Sequence, residues 1–375
     1  TFPMLKKLVA VVAIVPLTFT PISTVNAAVK AGAACPKAGN TAIASGKTFT
    51  CIKSGKKLIW DKGTQIKPDI PTVPTSFDDL IKNYAGISYA AWSKSREKIL
   101  ASSKTEITLK MVIGPNSKLD FKDPINPINL VSRLYSGYIK PHEFYFLAFS
   151  YDDRDWAVNQ METILPNSGS LWIKDTACKT RDTCWGGGSF YNGIDRHLIV
   201  IATGIADENH TSGTLEAHEF THSLQQINMN KGRPAQQYLF DPWPPTWYWE
   251  GQAEFTQNSA VYFEDFTKYL NARKKVAEEL FRFTKFNSEM IQKYFVFNAP
   301  ADWQANYDQW RQYDLGAMLV EILTALKGPD SNMEMWKLAS TGMNFQTAFF
   351  TVYGVEFDKA LPIIAKAIAL ELGHS

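Results

Sequence analysis

The chain has 375 residues, 45% hydrophobic and 13% aromatic, enough for one large domain or two ordinary ones with a sizeable buried core. Its formal net charge is +2, so composition gives no global basis for binding nucleic acid. The charge is uneven: residues 28–63 hold seven lysines against one acid, Asp61, while residues 64–375 carry a net of about −6.

At the N-terminus, Lys6 and Lys7 precede an apolar run from Leu8 to Phe19. Val25-Asn26-Ala27 then offers small residues at the −3 and −1 positions of a cleavage site. Residues 1–27 therefore read as a Sec-type signal peptide starting at Met4, which predicts a secreted or cell-surface bacterial protein. The run is short for a bilayer span and no later stretch suits one, so an integral membrane protein is not expected after cleavage. Export places Cys35, Cys51, Cys178 and Cys184 in an oxidising compartment. Of the possible pairings, Cys35–Cys51 with Cys178–Cys184 is the simplest, because each pair closes a short loop. The spacings do not suit a zinc knuckle.

Residues 28–63 form a separate basic module. Alternation around Thr48–Ile52 and Lys57–Trp60 predicts a small hairpin stapled by one disulfide. The pattern Cys35, then Gly46-Lys47-Thr48-Phe49-Thr50-Cys51, then Gly55-Lys56-Lys57-Leu58-Ile59-Trp60 resembles short modules on exported proteins of Gram-positive actinobacteria. The resemblance implies attachment to an anionic cell wall or surface; a solvated basic spacer fits the same composition. Residues 64–76 contain KPDIPTVPTS, a proline-rich linker and domain boundary. Residues 77–375 then form the main domain.

Within that domain a helix is expected over 77–101, with Ser76 as its cap and Asp78 and Asp79 in its first turn. A strand follows over 107–113, a helix over 127–137, a strand over 144–150, a helix over 152–165 and a strand over 197–203. Gly186-Gly187-Gly188-Ser189-Phe190 either borders an edge strand able to pair with an extended peptide or is a plain turn after the Cys178–Cys184 loop. Thr214 to Ile227 reads as a helix. Further helices are expected over 250–262, 263–285, 287–295, 308–327, 344–352 and 357–372. This order is that of an α+β fold in two lobes, a mixed sheet with one long helix and then an α-helical C-terminal half, with a cleft between them.

The helix over 214–227 contains His218-Glu219-Phe220-Thr221-His222, an H-E-x-x-H pattern. Positions i and i+4 share a helix face, so two imidazoles can reach one metal ion. Glu219 between them can act as a base on water held there. Catalytic zinc takes three protein ligands. A histidine six residues beyond His222, as metzincins have, is absent: Asn228 stands there, and Gln225 replaces their glycine. His197 and His210 lie upstream of the motif, and Asp241 sits among prolines in DPWPP.

Downstream, Trp247-Tyr248-Trp249-Glu250-Gly251-Gln252-Ala253 carries the pattern W-x-x-E-G-x-A. Here the chain resembles the gluzincins, a group of zinc peptidases, over roughly residues 140–370. The resemblance implies a zincin-like catalytic domain, one catalytic Zn2+ and Glu250 as the third ligand beside His218 and His222. The 27 residues between His222 and Glu250 exceed the usual spacing, and the proline-rich insertion 233–245 accounts for the excess. Glu254, one turn on, is implied to accept a hydrogen bond from a ligand histidine. Tyr313-Asp314-Leu315-Gly316-Ala317 matches the Y-x-x-G-A of the aminopeptidase class, 63 residues after Glu250. In that class the tyrosine hydroxyl bonds the oxyanion, which makes Tyr313 a catalytic residue beside Glu219; a buried aromatic at a helix start is the alternative. The G-x-M-E-N segment that binds a substrate's free amine in aminopeptidases is missing. The expected activity is therefore that of a secreted zinc-dependent endopeptidase on peptide or protein substrates. A zinc amide hydrolase of the cell wall and a non-catalytic surface-binding protein with a vestigial site are the alternatives.

Overall fold

The computed structural model describes residues 29–65, 70–104, 107–141, 143–230, 245–296 and 310–374. The segment expected to be a signal peptide, Asp241 and most of the proline-rich insertion lie outside the described residues. The chain divides into two compact units at Asp69–Ile70.

The first unit is a small antiparallel sheet of β1 (Thr41–Ala44), β2 (Lys47–Ser54), β3 (Lys57–Trp60) and β4 (Thr64–Gln65). β2 is the centre: it pairs with each of the others, and the expected hairpin has Cys51 opposite Trp60 and Ile52 opposite Ile59. The β1–β2 turn places Ser45 and Gly46 at φ 49° and 70°, the left-handed values a two-residue hairpin turn needs. Among the described residues, Phe49, Cys51 and Trp60 form its buried core, and the Cys35–Cys51 disulfide ties it together. A core this small needs such a staple.

The second unit begins with α1 (Phe77–Leu80), capped by Ser76 and Asp79 in a reciprocal box. The single helix expected over 77–101 is broken by a 3₁₀ turn at Tyr84–Gly86 before α2 (Ile87–Ala101). The break lets Gly86 press on the preceding chain, where a Cβ would lie 2.2 Å from the Thr72 carbonyl oxygen. Next come β5 (Thr108–Ile113), α3 (Ile125–Leu134), β6 (Glu143–Phe149) and α4 (Arg154–Ile164). They lead to β7 (Gly187–Tyr191), β8 (His197–Ala202), α5 (Glu208–Thr211) and α6 (Thr214–Asn230). The glycine run is thus part of a strand and not a plain turn.

The sheet runs β5-β6-β8-β7, with the first three strands parallel and β7 antiparallel at the edge. β8 is buried at all six positions, as an apolar strand covered on both faces must be. Alternate side chains feed two cores. Phe144, Phe146, Ile199 and Ile201 join the helical core, while Leu147, Phe149, Leu198 and Val200 pack on α4 and the Cys178–Cys184 loop.

The remainder is helical: α7 (Thr246–Val261), α8 (Phe266–Val276), α9 (Glu278–Arg282), α10 (Ser288–Phe295), α11 (Arg311–Lys327), α12 (Asp330–Ala339), α13 (Phe345–Tyr353) and α14 (Phe357–Glu371). The helix expected over 263–285 divides at Ala277. Arg273, Lys274 and Lys275 end α8 and Glu278 and Glu279 start α9, so each charge sits at the helix end that favours it. α12 was not expected. Gly328 at φ 81° and Pro329 end α11 and also open the next helix, a pairing that reads equally as stop or start. The second unit is mixed: a four-stranded sheet with helices on both faces and, among the described residues beyond it, helices alone.

Candidate metal centre

α6 turns Ala217, Phe220 and Leu224 into the core, where Phe220 stacks on Phe144 of β6 at 5.4 Å. That leaves His218, His222 and Gln225 facing α7. α7 answers with Glu250, Glu254 and Gln257, at i, i+4 and i+7 on one helix face. α7 and α11 touch backbone to backbone. A Cβ at Gly251 would lie 2.2 Å from the Gly316 carbonyl carbon, and one at Gly316 would lie 2.1 Å from the Trp247 carbonyl oxygen. The glycines of the two patterns are therefore packing residues. Their contact sets Glu250 beside the histidines and Tyr313, in the first turn of α11, with its ring 6.0 Å from that of His218. The glycine run of β7 has a related role: a Cβ at Gly187 would sit 2.9 Å from Glu219 Oε1, and one at Gly188 2.8 Å from the Trp172 ring. β7 can lie flush over Glu219 only because those side chains are missing.

His218, His222 and Glu250 form the one group of three His, Cys, Asp or Glu side chains among the described residues that can hold a metal ion. His218 Nε2 and His222 Nε2 are 3.1 Å apart, and Glu250 Oε2 lies 3.2 and 3.1 Å from them. Zinc bound at about 2.0–2.1 Å in a tetrahedron sets its ligands roughly 3.3 Å apart, so the spacing fits. The hydrogen-bond directions also fit. His218 Nδ1 faces Gln257 Oε1 at 3.0 Å, and His222 Nδ1 faces Gln225 Oε1 at 2.7 Å. Gln257 is oriented by donating Nε2 to Glu254 Oε1 at 2.8 Å; Gln225 donates Nε2 to the Trp249 carbonyl at 3.0 Å. Both amides thus show oxygen to an imidazole, and both Nδ1 atoms must donate. Each Nε2 then presents a lone pair to the other and to a carboxylate oxygen. Three converging acceptors are a site for a cation.

The electrostatics have the same cause. Burial lowers the pKa of His218, but its bond to Glu250 and the charges of Glu219, Glu250 and Glu254 raise it to about 9. Burial raises Glu250, yet the charge of His222 and bonds to both histidines draw it down to about 2. Burial pushes Glu219 and Glu254 upward, with the His218 charge opposing. Carboxylates crowd two imidazoles and favour positive charge at His218 Nε2, either as a proton or, in its place, as a metal ion.

Glu219 and Tyr313 line a cleft of roughly 640 Å³, together with His218, Glu254 and Gln257. Trp172, Trp185 and Gly187 of β7 also line it. Glu254 lies 3.7 Å from His218 Nδ1 through Oε2; Gln257 makes the closer contact and Glu254 holds Gln257. His197 and His210 are not part of the group. His197 stacks on Tyr191 at 4.1 Å, and His210 bonds Asp207 at 2.7 Å and the Trp185 carbonyl at 3.2 Å. Sequence reasoning missed Gln225 and Gln257. The signal was present: Gln225 is i+3 from His222, and Gln257 continues the Glu250–Glu254 face.

Comparison with protein-family models, with curated proteins and with solved structures returned no match. The Cys35–Cys51 and Cys178–Cys184 disulfides are compatible with an extracellular protein, and among the described residues no helix is long and apolar enough to cross a membrane.

Proposed function

We propose that this chain is an exported zinc-dependent peptidase of the gluzincin type, with a two-lobed zincin-like catalytic unit and endopeptidase activity. The observation that carries the reading is the convergence of His218 Nε2, His222 Nε2 and Glu250 Oε2, lone pairs inward, beside a buried Glu219 in a cleft. A zinc ion on these three ligands would supply Lewis acidity, polarising a carbonyl and acidifying water. Glu219 is the proton carrier: its carboxylate takes a proton as water adds to the carbonyl carbon and gives it to the leaving nitrogen as the C–N bond breaks. Tyr313 keeps its hydroxyl proton, because burial and then the charges of Glu250, Glu219 and Glu254 raise its pKa. That hydroxyl donates to the developing oxyanion. Gln225 and Gln257 keep the imidazoles in the tautomer that binds metal. β7 ends the sheet, so an extended peptide can add to its outer edge alongside Glu219.

The lysine-rich first unit supports a second reading, in which the unit holds an anionic cell-wall surface and the substrate is a wall amide. Zinc content by mass spectrometry, with hydrolysis of casein and of muropeptides by wild type and Glu219→Gln, tests both. Stoichiometric zinc with no hydrolysis of any of these substrates would sink the hydrolase reading. Equal activity in Glu219→Gln would remove Glu219 from its role.

A further inference from the structure

We infer that Trp336 and Gln252 are positioning residues for the metal centre, fixing the tautomer and ring orientation of His222 through Gln225 and Trp249. The inference rests on the metal-centre reading above. None of the sequence patterns includes Trp336, which lies on α12, the helix that was not expected.

An indole N–H can only donate. Trp336 Nε1 donates to Gln252 Oε1, which decides which end of that amide is oxygen. Gln252 Nε2 must then point the other way, and it donates to Tyr135 Oη at 3.2 Å and to Met333 Sδ at 3.1 Å. The same Gln252 Oε1 accepts from Gln225 Nε2 at 3.1 Å, and Gln225 Nε2 also donates to the Trp249 carbonyl at 3.0 Å. Gln225 is left with only its oxygen to offer His222 Nδ1, 2.7 Å away. The proton is therefore on Nδ1, and the Nε2 lone pair faces His218 and Glu250. Turning over the Gln252 amide would set NH2 against the indole N–H and against the Gln225 NH2. Trp336, Gln252 and Gln225 are all fully buried, so water cannot relieve that clash.

A second route runs through the rings. Trp249 stacks on His222 with centroids 4.9 Å apart and planes 12° apart, and Trp336 meets Trp249 edge-on at 5.4 Å. Trp336 therefore controls both the proton position on the imidazole and the plane in which the ring lies. His218 is managed differently: a carboxylate, Glu254, orients its Gln257 from the acceptor side.

Zn2+ affinity of the full chain, measured by competition with a chromogenic chelator, and the visible spectrum of the Co2+-loaded protein test this. Gln252→Met and Trp336→Phe each weaken Zn2+ binding about 10- to 100-fold and alter the Co2+ bands. Adding Gln225→Glu to Gln252→Met restores affinity to within about threefold, because a carboxylate accepts from Nδ1–H whichever way it is turned. Trp336→Phe keeps the test open should Gln252→Met fold poorly. Wild-type affinity and an unchanged Co2+ spectrum in both single variants overturn the inference alone, as does failure of Gln225→Glu to rescue. A wild type that binds no Zn2+ overturns the metal-centre reading itself.

Discussion

Two buried ionic clusters in the second unit are built from similar side chains and end differently. Arg273 on α8 donates Nε to Glu321 at 2.7 Å and a terminal nitrogen to Glu371 at 2.7 Å, while the Tyr269 hydroxyl also donates to Glu321. Burial pushes Glu371 up to about 8, with the pull of Arg273 opposing it, and the Arg273 guanidinium supplies the cluster's own cation. The cluster neutralises itself. The His218–His222–Glu250 group has no arginine or lysine among its ligands, and its three acceptors face one another. An acid cluster with its own cation is finished structure, whereas one with no fixed cation leaves a place that a proton or a metal ion could take.

The largest effect that sharpens this contrast is chemical. Glu219→Gln is expected to lower kcat by about 10²- to 10⁴-fold with zinc content unchanged, read by hydrolysis rate and metal analysis. Next, Arg273→Met leaves two carboxyl groups in the core without their cation and is expected to cost about 3–5 kcal/mol in denaturant unfolding. If it costs under about 1 kcal/mol, the cluster is not the self-neutralising unit described. Zinc should act on the other cluster only: at a thousandfold excess over Kd it adds about 4 kcal/mol to unfolding, and Glu250→Gln should abolish that increment. An equal zinc response in Glu250→Gln would break the assignment of the third ligand.

The smallest effect concerns a third way to bury an ionisable group, which is to leave it neutral. His197 is buried with neither ring nitrogen hydrogen-bonded among the described residues, and burial draws its pKa from 6.5 to about 3. Between those values the unfolded chain takes up a proton that the folded chain refuses. Stability attributable to His197 is thus complete above pH 6.5 and falls as pH drops towards 3, by about 1.4 kcal/mol per unit. His197→Phe should remove about 2 kcal/mol of the loss seen between pH 7 and pH 5. An unchanged pH dependence would show that His197 is not the group responsible.

Most element positions were legible because periodicity and capping are local. β6, β8, α6, α13 and α14 fall within a few residues of expectation. The misses have local causes too. Gly86 breaks a helix to meet Thr72, and Gly328-Pro329 is ambiguous between an end and a beginning.

By itself the sequence determined that His218 and His222 share a helix face with Glu219 between them, since i and i+4 spacing is set by helix geometry alone. It also determined that Glu250, Glu254 and Gln257 share another face, for the same reason. The tertiary structure alone decided which faces meet. The Gly251–Gly316 contact that sets α7 against α11, the Trp249 and Gln252 acceptors that orient Gln225, and the Trp336 donor that orients Gln252 join segments up to 84 residues apart. Periodicity carries no information about such pairs. A hydrogen bond from Trp336 to Gln252 exists only once both helices are packed, and packing is what turned two histidines and a glutamate into a site with its lone pairs facing inward.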